Sequence, residues 1–97
     1  MSAAMLVVVT GSRVLGEDPS RLKIKRQPVE SRSFASIGYH APSELLDLQF
    51  RTGELYRYSK VPKKVFEDLL NAESKGSYFS REIRGKFHYQ HLPSNSQ

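Results

Sequence analysis

The chain has 97 residues, 15 Lys and Arg against 10 Asp and Glu, a formal charge of +5, and 38% hydrophobic residues. It contains neither cysteine nor tryptophan, which excludes a disulfide framework, a thiolate zinc site and a cysteine nucleophile and leaves a single domain held by packing alone. The longest apolar run, residues 5–9 with Ala3 and Ala4 before it, is far short of the roughly 20 residues that span a bilayer. No basic n-region or A-x-A pattern marks a secretory leader, so a cytoplasmic protein with no membrane partner is expected.

All five Phe and all five Tyr lie between Phe34 and Tyr89, and aromatic residues supply much of the buried area of a small core. A packed domain is therefore expected over residues 29–92, preceded by an extension, residues 1–28, that is either flexible or an appended strand. Residues 93–97 read as a disordered tail. Within the extension, residues 5–10 form a β-branched run leading into Gly11-Ser12-Arg13-Val14-Leu15-Gly16. A phosphate loop needs Lys and Ser or Thr after the second Gly, but Glu17 and Asp18 stand there and would repel phosphate. The stretch also looks like a Rossmann-like start, yet too little chain follows to build the βαβ layers.

Ser36 to Tyr39 is a short strand candidate. Leu45 to Phe50 then alternates, with Leu46, Leu48 and Phe50 on one face, and Arg51-Thr52-Gly53 suits a three-residue hairpin turn with glycine in the left-handed position. That turn puts Phe50 opposite Glu54, Leu48 opposite Tyr56 and Leu46 opposite Tyr58. A two-residue turn would instead mix apolar and charged faces. Pro62, at the first helical position, opens a helix running to about Ala72, with Val65, Phe66, Leu69 and Leu70 on one stripe. Ser74 can cap a second helix through Gly76 to Arg84, with Phe79 and Ile83 inward and Gly85 ending it. Residues 86–91 alternate as a C-terminal edge strand. The expected fold class is α+β, a small antiparallel sheet led by the hairpin 45–59 and covered on one face by two short helices.

The assembled residues resemble the KTSC domain family, a small module found at the C-terminus of some lysyl-tRNA synthetases. The resemblance rests on Val29-Glu30-Ser31, Ile37-Gly38-Tyr39, Leu48-Gln49-Phe50 with Gly53, Tyr56-Arg57-Tyr58, Val61-Pro62, Ala72-Glu73-Ser74-Lys75-Gly76, Tyr78-Phe79 and Ile83-Arg84. The sequence departs from the family pattern at His40, Phe66, Ser80 and Phe87. The synthetase fusion implies a role with RNA.

Two groups of basic residues could track phosphates: Arg57, Lys60, Lys63 and Lys64 at the strand-helix junction, and Lys75, Arg81, Arg84 and Lys86 around the second helix. Against this, Lys63 and Lys64 stand four residues before Glu67 and Asp68 and can simply solvate a helix face. Tyr56 and Tyr58 offer either a stacking platform for bases, if the sheet face is open, or core rings under the helices. Lys23-Ile24-Lys25-Arg26 is either a mobile phosphate contact or a solubilising linker. His40, His88 and His91 do not have metal-ligand spacing, because positions three apart in a strand point to opposite faces. No Gly-x-Ser-x-Gly elbow or paired-carboxylate signature appears. The expectation is a noncatalytic nucleic-acid-binding module, with RNA as partner and no cofactor. The alternative is a protein-interaction or small-ligand module that uses a sheet edge or the helix-sheet groove.

Overall fold

The computed structural model describes residues 21–93, and the strand-and-glycine run 5–16 and the last four residues of the tail lie outside them. The chain forms β1 (Arg26–Pro28), β2 (Phe34–His40), β3 (Leu45–Phe50), β4 (Leu55–Tyr58), α1 (Lys63–Asn71), α2 (Lys75–Glu82) and β5 (Tyr89–Leu92). The strands make one antiparallel sheet in chain order, β1-β2-β3-β4-β5. No helix of the described residues is long and apolar enough to cross a membrane.

The β3-β4 hairpin has the expected register, with Leu46 opposite Tyr58 and Leu48 opposite Tyr56. Gly53 donates its N–H to the Phe50 carbonyl at 2.8 Å, and Phe50 donates to the Glu54 carbonyl at 2.8 Å. Gly53 sits at φ +101°, a left-handed position where a side chain is strained. Alternation then sorts the sheet into two faces. One carries Phe34, Ile37, Leu46, Leu48 and Tyr58, which pack with Val61, Leu69, Phe79 and Ile83 beneath the two helices. Each side chain so enclosed contributes roughly 1.5–3 kcal/mol.

Both helices begin close to where the sequence places them. Pro62 is the N-cap of α1, with extended backbone at φ −64°, ψ 151°, so the helix proper starts one residue later. Ser74 caps α2 by accepting the Ser77 N–H at 3.3 Å. Tyr39 locks β2 to the head of α1: its hydroxyl donates to the Val61 carbonyl at 2.6 Å, and its ring stacks on Phe66 at 4.7 Å.

The opposite face is polar and tied by side chains. Asp47 and Arg57, directly opposed across β3 and β4, form a two-pronged ion pair at 2.7 and 2.8 Å, and both side chains are buried. Arg26 on β1 donates to Ser36 at 3.1 Å, and Ser36 donates to Gln49 at 2.9 Å. Lys23 and Ile24 share a cavity of about 330 Å³ with Leu55, Arg57 and Leu92, so the chain ahead of β1 crosses this face.

The sequence leaves residues 1–28 as either flexible or an appended strand and puts the C-terminal edge strand at 86–91, and the structure sets the bounds of both outer strands. Arg26–Pro28 pairs with Ser36, Ile37 and Gly38 as a full member of the sheet. At the other edge the strand is 89–92 instead of 86–91. The reason is local: Gly85 turns the chain at φ 78°, Lys86 donates back to the Ile83 carbonyl, and Phe87 is used to pack against the core.

Candidate nucleic-acid interface

The basic residues picked from the sequence fall into three groups. Arg57 does not reach the outer surface, being buried on the face away from the helices with its charge held by Asp47. Lys63 and Lys64 are exposed on α1 and pair with Glu67 at 3.9 Å and Asp68 at 3.1 Å, while Arg81 lies 4.0 Å from Glu82. The outer helix surface is therefore of mixed sign. Lys60 is exposed in a left-handed conformation at φ 57°, Lys75 is half-buried and donates to the Ala72 carbonyl at 3.2 Å, and Lys86 is exposed.

Arg84 is the one of this set that lines a concave site together with other arginines. It lines a groove between the hairpin tip and α2, where it meets Arg32 and Arg51. Each of the three comes from a different segment. Arg51, in the hairpin turn, is anchored by donating to the Ser31 and Val29 carbonyls at 3.0 and 3.4 Å. The loop bearing Arg32 comes in close because residue 76 has no side chain: a Cβ there would run into Ser33. Arg84, just beyond α2, lies over the Phe79 ring at 5.7 Å. None of the three has a carboxylate partner among the described residues.

The groove continues into an aromatic slot of about 380 Å³, lined by Phe50, Tyr56, Tyr58, Phe79 and Tyr89 together with Thr52, Glu54, Arg84 and Gly85. Here the helices stop short of covering the sheet. Tyr58 is buried, Tyr56 half-buried and Tyr89 57% exposed. The rings touch in series, Tyr58 to Tyr89 and Tyr89 to Tyr56 each at 5.4 Å, and Tyr56 to His91 at 4.8 Å. The choice left open by the sequence thus divides residue by residue, with Tyr58 in the core and Tyr56 and Tyr89 toward solvent. Burial pushes the Tyr58 phenol up to about 12, with Tyr89 and Tyr56 acting the same way and Arg84 opposing them. It is a hydrogen-bond donor at neutral pH. Among the described residues no group of three His, Asp or Glu is placed to hold a metal.

Arg32, Arg51 and Tyr89 were missing from the sequence-derived set. Arg51 carried a usable signal, since a long cation in a turn projects from the tip of a hairpin. Tyr89 could be placed beside Tyr56 and Tyr58 only once β5 was known to pair with β4.

The KTSC domain family matches residues 30–87, more than half of the chain. The chain belongs to the KTSC domain family. A KTSC domain protein of Yersinia pestis has the same fold in its crystal structure, with a TM-score of 0.71 and 37% identity, covering 73% of this chain and 100% of that one. An uncharacterized protein of Stutzerimonas stutzeri is 37% identical over 68 residues, 70% of this chain and 94% of that protein. A lysine–tRNA ligase of Trichormus variabilis is 46% identical over 54 residues, which is 56% of this chain but 10% of the ligase. The KTSC domain is thus a small module, almost the whole of one relative and a minor part of another.

Proposed function

We propose that this KTSC domain is a noncatalytic nucleic-acid-binding module whose target is RNA and whose place of action is the cytoplasm. The observation that carries this reading is the meeting of Arg32, Arg51 and Arg84 around one groove without carboxylate partners among the described residues. Planar guanidinium groups suit phosphate oxygens, and three of them on a chain of net charge +5 attract a polyanion over a longer range. Lys60 and Lys86 are exposed and add to the positive charge outside the groove. Lys63 and Lys64 can contribute as well, because exposed ion pairs are worth little and phosphate can take the place of the carboxylate. RNA is favoured over DNA by the relatives named as lysine–tRNA ligases.

The test is fluorescence anisotropy of the full chain with labelled single-stranded and duplex RNA over a salt series. Affinity should fall steeply with salt, and Arg51→Glu and Arg84→Glu should each weaken binding and lower the salt slope by about one. Absence of salt-dependent binding to either RNA at tens of micromolar would overturn the proposal. A partner bound without salt dependence would favour the protein-interaction reading instead.

A further inference from the structure

We infer that the aromatic slot beside the three arginines is a subsite for one unpaired nucleobase of single-stranded RNA, with Tyr89 as its stacking platform. The inference rests on the RNA reading above and adds to it which form of RNA is bound and which ring holds the base.

Tyr89 is the only large hydrophobic residue exposed among the described residues, and an aromatic ring left in water on an edge strand adds nothing to the core. It is nevertheless held in place. Tyr58 and Tyr56 flank it at 5.4 Å, tilted at 35° and 39°, so little further ordering is needed when a ligand stacks on it. The apolar side chains of the slot are all aromatic, with no aliphatic one among them. Flat rings suit a flat ligand, and every base presents a π-face.

Charge gives the slot a direction. Arg32 and Arg51 stand at one end, Arg84 is shared by both parts, and Glu54 is the single carboxylate lining the aromatic part. Phosphate is therefore drawn to the arginine end and repelled from the other. Glu54 can accept from base amino or imino groups, and the protonated Tyr58 hydroxyl can donate. A proline-rich peptide is the other ligand that aromatic grooves take, but nothing in such a peptide answers to three arginines. Duplex RNA does not fit either, since its bases are paired and its deep groove closed to side chains.

The experiment compares wild type, Tyr89→Ala and Tyr89→Phe on a single-stranded oligoadenylate, a duplex of the same length and a proline-rich decapeptide. Loss of one stacked base should weaken single-strand binding about 5- to 150-fold in Tyr89→Ala with the salt slope unchanged, and Tyr89→Phe, which keeps the ring, should recover most of it. An oligonucleotide carrying 2-aminopurine should be quenched by wild type and not by Tyr89→Ala. If Tyr89→Ala binds oligoadenylate as wild type does while Arg84→Glu weakens it, the base subsite is wrong and the RNA reading stands. If wild type binds neither RNA, both fall, and peptide binding without salt dependence would assign the slot to a protein.

Discussion

Asp47 and Arg57 show how one pair of side chains can be misread from sequence and still be central to the protein. In sequence Arg57 groups with Lys60, Lys63 and Lys64 at the strand-helix junction and reads as a phosphate ligand, although alternation in Tyr56-Arg57-Tyr58 sends it away from the two rings. What the local pattern cannot show is that residues 23–26 return across that side, so that both charges are enclosed. Taking two ions out of water is costly, and their attraction offsets that cost only while both are present. Asp47→Ala should therefore destabilise the fold by about 3–5 kcal/mol, because the guanidinium is left buried without its carboxylate. Urea midpoints will measure this. Replacing both residues with apolar side chains of similar volume should recover much of the loss, whereas Arg84→Ala, on the groove, should have little effect on the midpoint.

At the scale of elements, what could be read in the sequence was what is decided within a few residues. The β3-β4 register follows from Arg51-Thr52-Gly53, and the start of α2 from Ser74; each depends on a backbone conformation or a cap set by adjacent residues. Gly53 has open space around it, so its side-chain requirement is purely conformational. Gly53→Val should cost on the order of 1–3 kcal/mol through strain at positive φ, with no steric contribution, and Gly53→Asn should cost much less because asparagine tolerates that region. A denaturation series of the three proteins checks this. The edge strands were harder. β1 has three residues and a proline, too short for any periodicity, and β5 was shifted by the turn at Gly85 and the use of Phe87 in the core. The pairing partner of β5 is distant in the chain, and with it went the placement of Tyr89 and hence the aromatic half of the groove.

For the molecule as a whole, three tyrosines couple the fold to alkaline pH. Tyr58 is raised to about 12, first by burial. Tyr39 is raised by burial and by Glu44, and Tyr78 by burial and then by Asp68 and Glu82. An unfolded tyrosine titrates near pH 10 in round figures, so the folded state binds the phenolic proton more tightly than the unfolded one. The resulting stability is fully present below about pH 10 and is lost as the pH rises through each folded-state value, which for Tyr58 is about 12. Denaturant midpoints should be insensitive to these groups up to about pH 9 and decline beyond about pH 10, and Tyr58→Phe should flatten the decline. Phenolate absorbance should show Tyr58 ionising last of the three or together with unfolding.

The sheet is also a partition. Lys23 and Ile24 run beneath it, against Leu55, Arg57 and Leu92, while the arginine and tyrosine groove opens on the helix side. The described chain therefore enters the domain at the back of the sheet, at Lys23 and Ile24, with the thickness of the domain between that entry and the groove. Entry and groove are thus on opposite sides of one sheet, so residues 23–25 leave the groove side clear, in a domain that is almost the whole of one relative and a tenth of another.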